Sequence, residues 1–300
     1  MQLKAMTYFN ELVRSRSIRQ ASEKLGVSPM AISRQLENLE QYFDAPLITR
    51  SARGIMLTAA GELLASHSQN MMRELGNTRQ IIDDLRGLKR GKVAIHVNGA
   101  AINGILAPAL SQFYTLYPDV SIEVTVSSAQ EAHRAVLAGK TDMAITMFSP
   151  QDPKIDVRFS IPVQHEVIMS TAHPLSVFKE ISLEDIRQYP LAMPDSHFDI
   201  RLNFDHHQRE AGLDPIEATF TTSSLELQKE LALHGTALLI LPAISVVREI
   251  ESGQLTVRPF EANAKITADL QLGRSKSAVP SFAADKLTDF LEGFLSEKIL

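Results

Sequence analysis

Residues 18–40 read "IRQASEKLGVSPMAISRQLENLE", two short amphipathic runs joined by "GVSP" at 26–29. Each residue of the joint suits a sharp turn between helices. Gly26 tolerates the left-handed conformation that ends a helix. Ser28 is a helix-capping residue, and Pro29 fits the first helical position, where a missing N–H costs nothing. The spacing predicts a helix from Pro29 to about Phe43 with Ile32, Leu36 and Leu39 on its buried side. Met30, Ser33, Arg34, Gln35 and Asn38 fall on the opposite side. Upstream, Ser17 and Gln20 have the spacing of a capping box and predict a helix from about Ile18 to Gly26. Leu3, Met6, Phe9, Leu12 and Val13 predict another over 3–15. The pattern is a helix-turn-helix whose second member presents short polar side chains, as a reader of base edges in the major groove requires.

Residues 46–58, "PLITRSARGIMLT", predict a β-hairpin wing whose turn is flanked by Arg50 and Arg53 and closed by Gly54. Guanidinium groups there suit bidentate contact with DNA phosphates. With "ASEKLGVSPMAISRQLENLE" followed by "PLITRSARGIMLTAAGE", the chain resembles the LysR-type transcriptional regulators, and the resemblance runs its full length. It implies that Ala31, Ser33, Arg34 and Gln35 lie on the base- and phosphate-contacting helix and that Arg50 and Arg53 lie on the wing. Ser28, Pro29, Met30 and Asn38 complete the expected DNA-contacting set. Many relatives carry glutamine where this chain has Pro29, which lacks a side-chain donor; readout there passes to Met30 and Ala31, toward thymine methyl groups.

From Thr58 to Arg90 the chain has no proline and reads as one long helix. Leu57, Gly61, Leu64, Ser68, Met71, Leu75, Thr78, Ile82 and Leu85 alternate steps of four and three, a seven-residue seam for a partner helix. The expectation is a homodimer through this linker, and the resemblance adds dimers of dimers. "RGLKRGK" at 86–92 reads as a basic hinge.

Beyond Val93 the pattern becomes α/β. "VAIHV", "VSIEVTV" and "DMAIT" read as buried parallel strands, with helices at 102–118 and 129–140 between them. "EVIMST", "PLAMP", "ATFTT", "ALLILP" and "LTVRPF" read as strands of a second unit with a helix at 224–235. "ITADLQLG" and a helix at 280–297 return to the first. The predicted fold class is an N-terminal all-α winged helix-turn-helix (1–57), a linker helix and hinge (58–90), and an α/β two-lobed body (91–300). Lobe I takes about 91–161 and 267–300, and lobe II about 162–266. The resemblance implies a periplasmic-binding-protein-like effector domain with a small molecule between the lobes.

Open sheets bind ligands at the carboxyl ends of their strands, which selects Asn98, Gly99, Ala100, Ser127, Ser128, Thr146 and Met147 in lobe I. In lobe II it selects His197, Phe198, Asp199, Thr222, Ser223 and Ser224. Hydroxyl groups and free N–H groups at helix starts favour an anion, with Arg201 as the nearest cation; Asp199 and His197 favour a polar or cationic ligand instead.

The net charge of −5 divides unevenly: residues 1–92 hold 14 Lys and Arg against 9 Asp and Glu, and the rest 16 against 26. A basic head on an acidic body fits double-stranded DNA as the partner of the head alone. There is no cysteine, which excludes disulfides, thiol nucleophiles and thiolate metal sites. No membrane-length apolar run and no signal-peptide pattern is present, so a cytoplasmic location is expected. "DSHFDIRLNFDHHQRE" at 195–210 lacks metal-ligand spacing, "AGKTD" at 138–142 lacks the upstream glycine of a phosphate loop, and "NGAAING" at 98–104 lacks the dinucleotide spacing. No nucleophile motif occurs. The expectation is a regulator that is no enzyme, holds no metal and needs no cofactor. An enzyme or solute-binding module with a DNA-binding head, and an architectural DNA binder without effector, are the rivals.

Overall fold

In the computed structural model the chain forms two compact units, Met1–Arg86 and Gly87–Leu300. The structure describes residues 2–51, 54–85 and 91–299, without the side chains of residues 2, 50, 51, 54, 69, 70, 80, 83–85 and 299.

In the first unit α1 (Gln2–Ser15), α2 (Ile18–Leu25) and α3 (Pro29–Phe43) surround a core that includes Phe9, Leu12, Ile32, Leu36 and Leu39. The turn forms as its residues dictate. Gly26 sits at φ +64° and ends α2, and the Val27 N–H closes on Ser22 O at 3.0 Å. The Ser28 hydroxyl accepts the Ala31 N–H at 3.2 Å, with Pro29 opening α3. Of the expected box at α2, the Ser17 half forms: its hydroxyl accepts the Gln20 N–H. The wing is the antiparallel pair β1 (Ile48–Ser51) and β2 (Gly54–Leu57), with Ser51 opposite Gly54. Glu40 Oε1 accepts the Leu47 N–H at 2.8 Å and anchors the wing to α3.

Helix α4 (Ala59–Leu85) starts where the Thr58 hydroxyl accepts the Gly61 N–H at 3.0 Å. Its seam divides into two halves, contrary to the expectation that it would serve a partner throughout. Leu64, Ala65 and Ser68 are buried on their own unit, and Ser68 donates to Asn10 Oδ1 of α1. Gly61 passes so close to Leu47 that a β-carbon would strike the Leu47 carbonyl oxygen. Met71, Leu75 and Ile82 are exposed. The helix ends at Leu85, about 40 Å from its start at 1.5 Å per residue. The expected hinge at 86–92 lies outside the described residues up to Arg90, and its last two residues, Gly91 and Lys92, already belong to a strand.

The second unit begins with β3 (Gly91–Val97), parallel to β4 (Val120–Val126) and β5 (Met143–Thr146), with α5 (Ala107–Leu116) and α6 (Ala129–Leu137) as crossovers. Residues 102–106 before α5 wind as a π-turn in which the Ala107 N–H reaches Ile102 O; Pro108 has no N–H to continue the regular ladder. β3 and β5 are buried as expected, but β4 is not. It is the edge strand, with only Val120 buried and Val124 and Val126 exposed. A run of β-branched residues marks a strand without telling whether a neighbour covers it.

The long strand β6 (Ile155–Ser170) connects the two lobes. Its first part pairs with the late strand β11 (Ile266–Ser275) as far as His165. Its last part, from Glu166, pairs with β9 (Leu239–Leu241) and β10 (Leu255–Arg258). The reading of a strand over 166–171 thus caught only its end, and residue 162 lies in mid-strand. Lobe II adds α7 (Leu183–Ile186), β7 (Ala192–Met193), α8 (Asp199–Glu210), β8 (Phe220–Thr221), α9 (Leu225–Leu233) and α10 (Val247–Glu251). The final helix α11 (Phe282–Ile299) returns to lobe I, where Leu287 and Leu291 join a core with Ile95 and Phe113. Arg158 on β6 donates to Glu292 on α11 at 2.8 Å, fastening the return.

Candidate functional site

The turn sets the start of α3, and the buried row Ile32, Leu36 and Leu39 sets its roll. Ser28, Pro29, Met30 and Arg34 are consequently exposed, Met30 at 80%, while Ala31, Ser33, Gln35 and Asn38 are half-buried on the flanks of the same face. This face has the polar and apolar groups that base edges and thymine methyl groups require. Arg53 lies outside the described residues, as does the side chain of Arg50.

On another part of this unit an apolar groove of about 490 Å³ opens between α3 and α4, lined by Leu39, Tyr42, Phe43, Leu63, Leu64 and Met71. Its exposed Leu63 and Met71 continue along α4 into Leu75 and Ile82.

In the second unit a cleft of about 510 Å³ opens between the lobes. Asn98, Gly99, Ala100, Ser127 and Ser128 line it from lobe I, and Phe198, Ser223 and Ser224 from lobe II. Two helices begin at its walls. The Ser128 hydroxyl caps α6 by accepting the Glu131 N–H at 3.3 Å, and the Ser224 hydroxyl caps α9 by accepting the Leu227 N–H at 3.3 Å. The first N–H groups of each helix, at Ala129, Gln130, Leu225 and Glu226, have no partner within their helix. Asn98 Oδ1 likewise accepts the Ala100 N–H at 3.0 Å. A bond from Gln130 Nε2 to Asp199 Oδ1 at 3.5 Å joins the lobes.

At the floor a smaller chamber of about 40 Å³ is bounded by Asn98, Ala129, Met147, Phe198 and Asp199, together with Phe148, His165 and Leu241. Burial pushes the Asp199 carboxyl up, against the lowering effect of Gln130, and pushes the His165 imidazole down to about 3. Burial also raises the neighbouring Glu166.

Four expected residues lie elsewhere. Thr146 ends β5 on the other side of the sheet, bonded to the Ser149 hydroxyl in a separate hollow with His133 and Asp152. Strand alternation sends Met147 to the cleft and Thr146 away from it. His197 is outside both cavities, its side chain 90% exposed and its Nδ1 2.9 Å from Asp195. Arg201 pairs with Asp205 at 2.9 Å and donates to Ile216 O at 3.2 Å. That engagement turns it inward within lobe II. Thr222 supports the turn before α9, its hydroxyl accepting the Ser224 N–H at 3.1 Å.

Conversely, Lys229 lines the cleft unforeseen. It is a buried cation paired with Glu249 at 2.6 Å and Glu226 at 3.5 Å, and its position one turn into α9, after the Ser224 cap, was the available signal. Glu131 and Glu226 also line it. His165 was missed because the strand was read from Glu166 onward.

Two family models match: residues 3–62 fit the bacterial regulatory helix-turn-helix protein of the lysR family, and residues 86–296 fit the LysR substrate binding domain. The chain is 27% identical over 253 residues to the HTH-type transcriptional activator CmpR of Synechocystis sp., covering 84% of this chain and 83% of that one. It is 26% identical over 250 residues to a probable RuBisCO transcriptional regulator of Nostoc sp., covering 82% and 74%. The fold is similar to that of full-length CbnR solved with its target DNA, with a TM-score of 0.72 at 20% identity, over 97% of this chain and 100% of that chain. CbnR alone gives 0.70 at 19% identity, over 98% and 99%. Among the described residues no helix is long and apolar enough to cross a membrane. The chain therefore belongs to the LysR family: it is a transcriptional regulator, not an enzyme, with a DNA-binding helix-turn-helix, an effector-binding domain, and DNA and an effector as partners.

Proposed function

We propose that this regulator is controlled by a small anionic effector, a carboxylate, bound between the two lobes. The observation that carries the reading is the pair of helix starts, α6 from lobe I and α9 from lobe II, on the walls of one cleft. Their free N–H groups and dipoles favour negative charge. The one cation on the wall, Lys229, is held by Glu249 and Glu226, so the anion rests on backbone donors. Asn98, Gly99, Ala100, Ser127, Ser128 and Ser223 contact the effector, with Met147, Phe198 and Asp199 at the floor.

In the same reading the body works as lobe I (about 91–161 and 267–300) and lobe II (about 162–266). Ser28, Pro29, Met30, Ala31, Ser33, Arg34, Gln35 and Asn38, with Arg50 and Arg53 of the wing, contact DNA. The exposed row Met71, Leu75 and Ile82 pairs with the linker helix of a second copy. As a reader of the bacterial chromosome the protein works in the cytoplasm. The effector shifts DNA binding by its differential affinity for two lobe arrangements.

The test is fluorescence anisotropy of the full-length protein on its own upstream DNA, against a scrambled duplex, through a salt titration and with a panel of small carboxylates and amines. A carboxylate is expected to shift the binding curve, and Ser128→Phe to abolish that shift while keeping DNA binding and its salt slope. Response to amines alone would overturn the anionic reading. Equal binding to both duplexes would favour an architectural binder.

A further inference from the structure

The chamber beneath the cleft contains a polar group that the fold leaves unused. His165 is 4% exposed, and its Nδ1 is buried with no hydrogen-bond partner among the described residues. Buried polar atoms of folded proteins are nearly always paired, so an unpaired one calls for a specific explanation. The ring is also held in place at some cost. Phe148, just after β5, takes φ +59°, a region that bulky residues rarely enter. Its ring lies against the imidazole, with centroids 5.0 Å apart. Strain of this kind collects where a side chain must be aimed.

What the chamber accepts follows from its walls. Ala100, Ala129, Met147, Phe198, Ile200 and Leu241 supply its apolar lining, and Asp199 and Asn98 are the other polar side chains, Asn98 with its Oδ1 already engaged by the Ala100 N–H. About 40 Å³ admits a single small group. A second carboxylate there would face the Asp199 carboxylate. An ammonium would lose its hydration among apolar walls, with one half-buried carboxylate in return. A hydroxyl meets neither penalty, because it donates to a carboxylate oxygen and bonds to a neutral imidazole nitrogen.

We propose that His165 and Asp199 form a hydroxyl-reading subsite at the floor of the cleft, so that the effector is a small hydroxycarboxylate. Its carboxylate rests at the starts of α6 and α9, and its hydroxyl enters the chamber. This rests on the carboxylate reading above and narrows it. His165 is the residue at which β6 leaves β11, and Glu166 the one at which it takes up β9, so a bond to this imidazole is made at the joint between the lobes.

The experiment is isothermal titration of the full-length protein with matched pairs: malate and succinate, citrate and tricarballylate, lactate and propionate, 3-hydroxybenzoate and benzoate. In at least one pair the hydroxylated member is expected to bind about 10-fold or more tightly than its partner. His165→Phe and Asp199→Asn are each expected to reduce the ratio to about 3-fold or less, and His165→Asn, which keeps a polar atom near Nδ1, to retain more of it. Thermal melting of each variant establishes that it is folded, and Asp199→Asn carries the test if His165→Phe is not. Equal binding within every pair would overturn the subsite and leave the carboxylate reading standing. A ratio that survives both substitutions would also overturn it, placing hydroxyl recognition elsewhere. Binding of no carboxylate would overturn both.

Discussion

Helix α3 is aimed by four consecutive residues, Gly26 to Pro29, whereas the cleft between the lobes is assembled from segments around residues 98, 128, 198 and 224. In the head each step is local: a left-handed glycine, a capping hydroxyl, a proline without a donor. In the body no local rule brings Asn98 to Ser224. Only the sheet order and two chain crossings do. Both regions nevertheless rely on one glycine where backbones nearly touch, Gly61 against Leu47 in the head and Gly104 against Ile244 in the body.

The largest expected effects come from those glycines. Gly61→Ala should destabilise the head by about 2–4 kcal/mol, abolishing DNA binding while the melting transition of the body stays in place. Gly104→Ala should lower the transition of the body by a similar amount and leave the head's DNA affinity unchanged. Calorimetry of both variants checks the contrast, and a single shared transition that moves with either substitution would show that the units do not unfold separately.

A smaller effect sharpens the contrast through pH. His165 stays neutral in the folded protein down to about 3 but takes a proton near 6.5 when unfolded. Between those values the unfolded chain binds more protons. The contribution of His165 is therefore complete above about pH 6.5 and is lost as pH falls toward 3. Lowering the pH from 7 to 5 should cost the body about 2 kcal/mol through this residue. Glu166 and Asp199, raised by burial, act in the opposite sense, protonating earlier in the folded state and offsetting part of the loss. His165→Asn should flatten the acid side of the stability curve of the body alone; an unchanged slope would show that the imidazole does not carry it.

The smallest concerns a side chain at the surface. Arg34→Ala should cost about 1 kcal/mol of DNA affinity and reduce the salt slope by about one. Anisotropy at three salt concentrations measures both, and an unchanged slope would remove Arg34 from the phosphates.

These contrasts match what could be read from the residues. The three helices, the wing and the α6 and α9 caps were legible because capping, turning and periodicity act within a few positions. Edge and centre were not, since β4 has the composition of a buried strand and only its place at the end of the sheet exposes it. Arg201 looked like a cleft cation until Asp205, one helical turn on, proved to hold it. Thr146 and Met147 are adjacent in sequence, and choosing between them required knowing which side of β5 faces lobe II. The first half of the α4 seam misled because a seven-residue repeat records that something covers a helix and is silent about what; Ser68 and Asn10 supply the answer.

The unbroken course of β6 through both lobes limits how the body can move. A strand laddered to β11 on one side of the joint and to β9 and β10 on the other can twist about its axis, but it cannot slide without breaking hydrogen bonds at both ends. Under the proposed control by an effector between the lobes, closure is therefore a torsion: the lobes turn like two hands wringing one rod, and the angle, not the distance between them, is the quantity such an effector would set.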